Sequence, residues 1–222
     1  IERSRNVAKG MSKGVNFLMK KNKIDVIIGH GKLLPGKKVL VQSENEEKEV
    51  SAEHVIIATG ARARELTNLK PDGKKIIEYR KAMTLEKQPK KMVIVGSGAI
   101  GVEFAYFYNA MGTEVTIVEY QPRIVPVEDE DISKQMEKIF VKSGIKVLTS
   151  SEVKEVQENG ITLKVIIEKD GKSSDIDADV VLSAVGIKAN IENIGLEELG
   201  VNVENDKIVV DSFYNTNVPG YY

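Results

Sequence analysis

Hydrophobic positions first recur along the chain in a helical rhythm. Val7, Met11, Val15, Leu18 and Met19 are spaced by 4, 4, 3 and 1 residues, one face of an α-helix, with lysines crowding the other face. Gly10 and Gly14 each weaken such a helix by up to about 1 kcal/mol against alanine. The pattern therefore predicts a helix that needs tertiary contacts and ends at Asn22 and Lys23. Apolar runs of strand length follow at 24–28 and at 38–42, the second after a turn at Pro35 and Gly36. Residues 44–49 read as a charged hairpin tip with a return from Val50, and residues 54–58 as a buried strand leading into Thr59 and Gly60. Residues 61–90 read as a connecting region, with a turn at 71–73 and a short helix over 79–85.

From Met92 the order becomes strand, helix, strand, helix, strand. The four apolar residues 92–95 suit a parallel strand buried on both faces. A helix follows in which Ile100, Phe104, Phe107, Tyr108 and Met111 form the face expected to cover the sheet, and Gly112 ends it. Residues 115–118 are the second strand. Asp131 is placed to cap a helix over 132–143, with Ile132, Met136, Ile139 and Phe140 on its apolar face, and 145–148 are the third strand. Then three short alternating runs, 153–156, 162–168 and 173–177, are joined by Asn159-Gly160 and Asp170-Gly171, strong hairpin signals. They predict an antiparallel meander in place of a helical crossover. Residues 180–185 return to the sheet and stop at Gly186, and the tail holds a short helix over 192–199 and a strand over 207–210. The expected fold class is α/β, a Rossmann-like domain whose parallel sheet carries an antiparallel meander crossover.

Candidate chemistry concentrates at 96–101, where Gly96, Ser97, Gly98, Ala99, Ile100 and Gly101 spell Gly-x-Gly-x-x-Gly between a strand and a helix. Gly96 permits the tight turn, Gly98 lets a pyrophosphate approach the backbone, and Gly101 lets the helix pack close to the sheet. The helix N-terminus offers unpaired N–H groups and the positive end of its dipole. Glu119 lies 18 residues past Gly101, at the end of the next strand. A carboxylate there accepts hydrogen bonds from both ribose hydroxyls and repels a 2′-phosphate, which favours NAD(H) over NADP(H). The motif alone leaves NAD and FAD both open.

Composition narrows the classes. The chain has 222 residues, 41% hydrophobic and 29% charged, ordinary for a globular protein. No apolar run approaches the ~18 residues needed to span a bilayer, so no membrane association is expected. The absence of cysteine excludes disulfides, thiolate metal sites and cysteine redox chemistry within these residues. His30 and His54 have no ligand spacing, so no metal is expected. Net charge is −1, but residues 1–91 carry +10 and residues 92–222 carry −11. No aromatics interleave the basic residues, so the asymmetry reads as different solvated faces and not as a nucleic-acid surface.

Several motifs then stand in one order: Ala58-Thr59-Gly60, the glycine motif with Val102 and Glu103, Glu119, Ala184-Val185-Gly186, and Thr216-Asn217-Val218-Pro219-Gly220. As an ordered set they resemble the pyridine nucleotide–disulfide oxidoreductases. Glu119 and the style of 125–129 bring the resemblance nearest to the dihydrolipoyl dehydrogenases of that family. The resemblance implies that residues 1–88 are part of an FAD domain with a connector, 89–208 an NAD domain, and 209–222 a return into the FAD domain. It implies that Glu103 approaches the nicotinamide, that Val153 lies on the adenine side, and that Gly186 passes close to the nicotinamide. Gly31, Thr59 and Gly60 match positions that touch FAD. The intact enzymes of the family use FAD and NAD to oxidise a dihydrolipoyl group carried by an acyltransferase or a glycine-cleavage carrier. They work as homodimers in the cytoplasm or the mitochondrial matrix.

The family's Gly-rich FAD motif, its Cys-x4-Cys pair and its His-Glu pair do not occur in these residues. The expectation is an internal, NAD(H)-binding fragment that is inactive alone and has an uncovered apolar surface. An NADH oxidase or a mercuric reductase would share the motifs, and a non-catalytic assembly module is the third alternative.

Overall fold

The computed structural model describes residues 1–222. In chain order the elements are α1 (Glu2–Lys21), β1 (His30–Leu34), β2 (Lys38–Gln42), β3 (Glu47–Ser51), β4 (Ala61–Ala63), β5 (Ile76–Ile77) and α2 (Tyr79–Ala82). Next come β6 (Lys91–Val95), α3 (Ala99–Ala110), β7 (Glu114–Val118), α4 (Glu130–Lys142) and β8 (Lys146–Leu148). They are followed by β9 (Glu152–Asn159), β10 (Thr162–Lys169), β11 (Lys172–Ala178), β12 (Val180–Ser183) and β13 (Ile187–Ala189), then α5 (Leu196–Leu199), β14 (Val203–Glu204) and β15 (Lys207–Ile208). The chain divides into two compact units, one of Ile1 with Ala63–Ile187 and one of Glu2–Arg62 with Lys188–Tyr222.

The first unit is built on a five-stranded sheet of order β5-β12-β6-β7-β8, parallel throughout. Successive residues of a strand point to opposite faces, and here both faces are buried, so the strands read as unbroken apolar runs. Met92, Ile94, Ile117 and Leu182 share a core with Val102, Ala105 and Tyr108 of α3 and Phe140 of α4. Val93, Val95, Val118 and Val181 share a second core with Val153, Leu163, Val165 and Ile167 of the meander, whose order is β11-β10-β9. The β10–β11 turn has Asp170 and Gly171 both at positive φ (50° and 72°), the twist a two-residue hairpin loop requires.

Two helix faces differ from the pattern reading. On α3 the buried residues are Gly101, Val102, Ala105 and Tyr108, while Phe107 and Met111 are 52% and 58% exposed. Small side chains at 101 and 105 let the helix backbone lie close to the sheet, so Ile100 and Phe104 flank the contact. On α4, Ser133 and Phe140 are buried and Ile132 and Ile139 are exposed. Its N-cap is Asp129, whose carboxylate accepts from the Asp131 amide at 2.9 Å, so the helix starts before the cap expected at Asp131.

This unit also begins upstream of the seam expected at 88/89. Ile76 and Ile77 pair with Val181 and Leu182 as the sheet's edge, and Leu69 is buried in the meander core. Asp72 turns the chain into that edge strand by accepting from the amides of Lys74, Lys75 and Ile76.

The second unit holds the antiparallel sheet β1-β2-β3 and a small core of Leu33, Val55, Ile194, Leu196, Val201 and Tyr221. Residues 188–208, expected with the parallel sheet, lie here because Ile194, Leu196 and Val201 fill this core. Tyr221 Oη accepts from the Lys37 amide and donates to the Leu34 carbonyl, fixing the tail to the β1–β2 turn. The Arg62 guanidinium makes a two-pronged contact with Glu192 (2.6 and 3.0 Å) and, helped by Lys188, holds that carboxyl at about 2.

Three expected features of this unit are not realised. Residues 24–28 form no strand, because no segment pairs with them, and Ile28 is 80% exposed. Residues 54–58 are not a buried strand. Only Val55 is buried, and its pairing reaches just residues 220–222. Helix α1 forms as expected but has no buried residue, so the contacts its glycines call for do not come from this chain. In the tail, the helix and strand are shorter than expected: Leu196–Leu199 and Lys207–Ile208. No helix is long and apolar enough to cross a membrane.

Candidate functional site

The three glycines of the 96–101 turn do three different things. Gly96 follows β6 at φ +98°, and a Cβ there would sit 2.5 Å from the Ala184 carbonyl oxygen. A Cβ on Gly101 would overlap the carbonyl oxygen of Gly96. Gly98 is the opposite case. It is the N-cap of α3, at an ordinary φ of −66°, and a Cβ there would meet nothing within 4 Å. Open space therefore lies over Gly98. The first amides of α3, which have no intrahelical acceptor, receive no side-chain cap from it.

Glu119 stands beside this turn, at the end of β7, and is 7% exposed. Its Oε2 accepts from the Ser97 amide at 2.8 Å and from Ser97 Oγ at 2.5 Å. Its Oε1 accepts from the Gln121 amide at 2.7 Å. Three donors on one carboxylate compensate its burial. The segment after Glu119 is tied to the same turn. Val125 donates its amide to the Ser97 carbonyl at 3.0 Å, and Ser133 Oγ donates to the Val125 carbonyl. Val125 is buried and sits at φ +40°, a left-handed conformation that costs a β-branched residue energy.

A cavity of about 610 Å³ opens here, within the ~300–1,000 Å³ usual for ligand sites. It is lined by Gly96, Ser97, Gly98, Glu119, Val153 and Gly186, with Val185 and Val127 from the motif segments 184–186 and 125–129, and with residues no sequence pattern marked, Asn68, Tyr120 and Glu152 among them. Asn68 Nδ2 donates to the Val153 carbonyl at 2.7 Å and so sets one wall. A lone asparagine in a connecting region carries no signal of that role. The only charged residues in the lining are Glu119 and Glu152, with no lysine, arginine or histidine. A phosphate bound there would meet helix amides and no cationic side chain.

The remaining expected residues lie elsewhere. Ala99, Ile100, Gly101 and Glu103 belong to the first turns of α3 and do not line the cavity, and the Glu103 side chain is exposed. Gly31, Thr59 and Gly60 belong to the other unit, all exposed. There Gly31 pairs with Val41, and the carbonyls of Thr59 and Gly60 accept from Asn190.

Comparison with known proteins identifies the family. The pyridine nucleotide-disulphide oxidoreductase family matches the chain over residues 2–222. Dihydrolipoyl dehydrogenase of Rhizobium etli is 44% identical over 100% of this chain, and that of Zymomonas mobilis is 45% identical over 98%. The chain spans about half the length of the curated relatives it matches, 50% and 47% for these two. The crystal structure of LpdA from Mycobacterium tuberculosis superposes with a TM-score of 0.90 at 27% identity, over 99% of this chain and 49% of that one. The HOCl-induced flavoprotein disulfide reductase RclA of Escherichia coli, at 24% identity, shares the fold with a TM-score of 0.77 over 96% of this chain and 50% of its own. This chain belongs to the pyridine nucleotide-disulphide oxidoreductase family, and within it is similar to the dihydrolipoyl dehydrogenases.

Proposed function

We propose that the unit of residues 63–187 binds NAD(H), as the pyridine-nucleotide part of a flavin-dependent disulfide oxidoreductase of dihydrolipoyl dehydrogenase type. The observation that carries this reading is the single cavity that gathers Gly96, Ser97, Gly98, Glu119, Val153 and Gly186 with no cation in its lining. The pyrophosphate would lie over Gly98 against the first amides of α3, where Ala99, Ile100 and Gly101 supply backbone and not side chains. Glu119 would take the adenosine ribose, with Val153 on the adenine side, and Gly186 would face the nicotinamide with Glu103 nearby. The 2′-phosphate of NADP(H) would meet the Glu119 carboxylate, whose three partners are uncharged donors, whereas Glu152 is already paired with Lys154.

In the whole protein the nicotinamide would supply hydride acceptance from a flavin, and this chain's residues would bind and orient it. The second unit would be the FAD side, with Gly31, Thr59 and Gly60 against that cofactor. Dihydrolipoyl groups on an acyltransferase or glycine-cleavage carrier would be the substrate, and the enzyme would be a homodimer. These 222 residues contain no cysteine, so they hold no dithiol–disulfide pair of their own. The chain is proposed to bind nucleotide without catalysing the exchange.

The test is a fluorescence titration with NADH and, separately, NADPH, on the chain and on Glu119→Ala. Saturable NADH binding, much weaker NADPH binding and a narrower gap in the variant are expected. A chain that is folded by circular dichroism and binds neither nucleotide, or prefers NADPH, overturns the reading.

A further inference from the structure

We infer that the Ser97 hydroxyl is a built-in competitor for the adenosine ribose: while it stays on Glu119, that carboxylate has one acceptor position for two ribose hydroxyls. The inference rests on the NAD(H) reading above and deepens it. An ionised carboxylate is an acceptor only, with about four lone-pair positions on its two oxygens. The protein already fills three of Glu119's: Ser97 N–H and Ser97 Oγ–H on Oε2, and the Gln121 N–H on Oε1. One position remains, on Oε1, whereas two ribose hydroxyls need two. Of the three donors, two are backbone amides held by the strand-end turns. The Ser97 carbonyl accepts from Val125 and the Gly96 amide donates to Val118, while the carbonyls of Gln121 and Glu119 accept from Ser150 and Ser151, so both amides sit in backbone held on either side. The Ser97 hydroxyl is the one side-chain donor of the three; it is fully buried on Glu119, and Ser97→Ala removes it without touching either amide.

Ser97 is therefore a positioning and specificity residue. Without ligand it helps keep the buried carboxylate satisfied. With ligand it sets how many ribose hydroxyls Glu119 takes and so how tightly the adenosine half is held. The opposing charge at Glu119 is untouched by the exchange, so discrimination against a 2′-phosphate does not depend on Ser97.

The experiment titrates the 222-residue chain, Ser97→Ala and Ser97→Thr with NADH, ADP, 2′-deoxy-ADP and 3′-deoxy-ADP, and records the melting temperature of each protein without ligand. Ser97→Ala should melt lower than the parent yet bind NADH between about threefold and about tenfold more tightly, the range one released hydrogen bond spans. Ser97→Thr keeps the hydroxyl, adds a methyl group at a fully buried position, and should bind NADH no more tightly than the parent. In the parent, one of the two deoxy-ADP probes should bind nearly as well as ADP, because only one ribose hydroxyl has a free acceptor. In Ser97→Ala both should bind more weakly than ADP. Equal or weaker NADH binding by a folded Ser97→Ala overturns the inference. If that variant does not fold, a parent that loses affinity for both deoxy-ADP probes overturns it equally. A folded parent that binds neither NADH nor ADP would instead remove the NAD(H) reading on which the inference stands.

Discussion

Two alanine substitutions three residues apart separate what the glycine turn does for the fold from what it does for a ligand. In Gly101→Ala the new Cβ overlaps the Gly96 carbonyl oxygen and lies 3.5 Å from the Ala184 Cβ. Gly96 cannot retreat, because its own Cα already faces the Ala184 carbonyl. Overpacking of this kind costs typically 1–3 kcal/mol, and overlap with a backbone oxygen puts it at the upper end. Helix propensity returns about 1 kcal/mol on replacing glycine by alanine. The net loss is then about 2 kcal/mol, a fall of roughly 6–8 °C in the melting temperature of a unit this size. In Gly98→Ala the Cβ enters empty space at φ −66°, so only the slightly poorer N-cap is felt and stability should stay within about 1 kcal/mol. The methyl group would nevertheless stand where the pyrophosphate must reach the α3 amides, and NADH affinity should fall by about tenfold or more. Thermal melts by circular dichroism and NADH fluorescence titrations read both quantities. A Gly101→Ala chain as stable as the parent refutes the packing argument. A Gly98→Ala chain that binds NADH as the parent does refutes the placement of the pyrophosphate.

Other perturbations test neighbouring features. Ser183 Oγ is buried with no hydrogen-bond partner, so Ser183→Ala should raise stability by about 1 kcal/mol in urea melts, and a loss would contradict that. Val125→Gly relieves a left-handed backbone worth about 1–3 kcal/mol; it should therefore cost less than Val115→Gly, a buried position within β7 without such strain, when both are compared by denaturant midpoint. Glu192 is held at about 2 by Arg62, below its usual 4.5. A folded-state value lowered in this way adds stability above about pH 4.5 that is lost as pH falls towards 2. Glu192→Gln should flatten that acid limb, and an unchanged pH profile of unfolding would show the contact carries no stability.

The parts of the fold that were legible in the sequence are those decided locally. Residues 92–95 and 115–118 are apolar without interruption because both sheet faces are covered, and the Asp170-Gly171 signal is the turn that forms. What failed depends on partners that spacing cannot reveal. Residues 24–28 have strand composition and no ladder to join. The α3 face departs from the apolar spacing because size counts as well as polarity: Gly101 and Ala105 win the sheet by being small, and Phe107 is left outside. At the site, the glycines and Glu119 announce themselves by spacing, whereas Asn68 and Tyr120 reach the cavity through loops without a pattern. Ser97 was legible as part of a motif, but its hold on Glu119 was not, since a hydroxyl's partner is set by three-dimensional proximity alone.

The meander that replaces a helical crossover also orders events in time. Its hairpins close over two-residue loops, between strands adjacent in the chain, so they pay little loop-closure entropy and can form on the microsecond scale. The parallel sheet cannot begin so early, because joining β5 to β12 requires Ile76 to find Val181 across everything between them. Contacts of that separation come late in folding. The meander is thus the part of this unit able to stand first as a template, onto which the apolar faces of β6, β7 and β12 then condense. On this order the β5–β12 pairing is expected to form late, and hydrogen exchange should then find the amides of β5 less protected than those of β6 and β7.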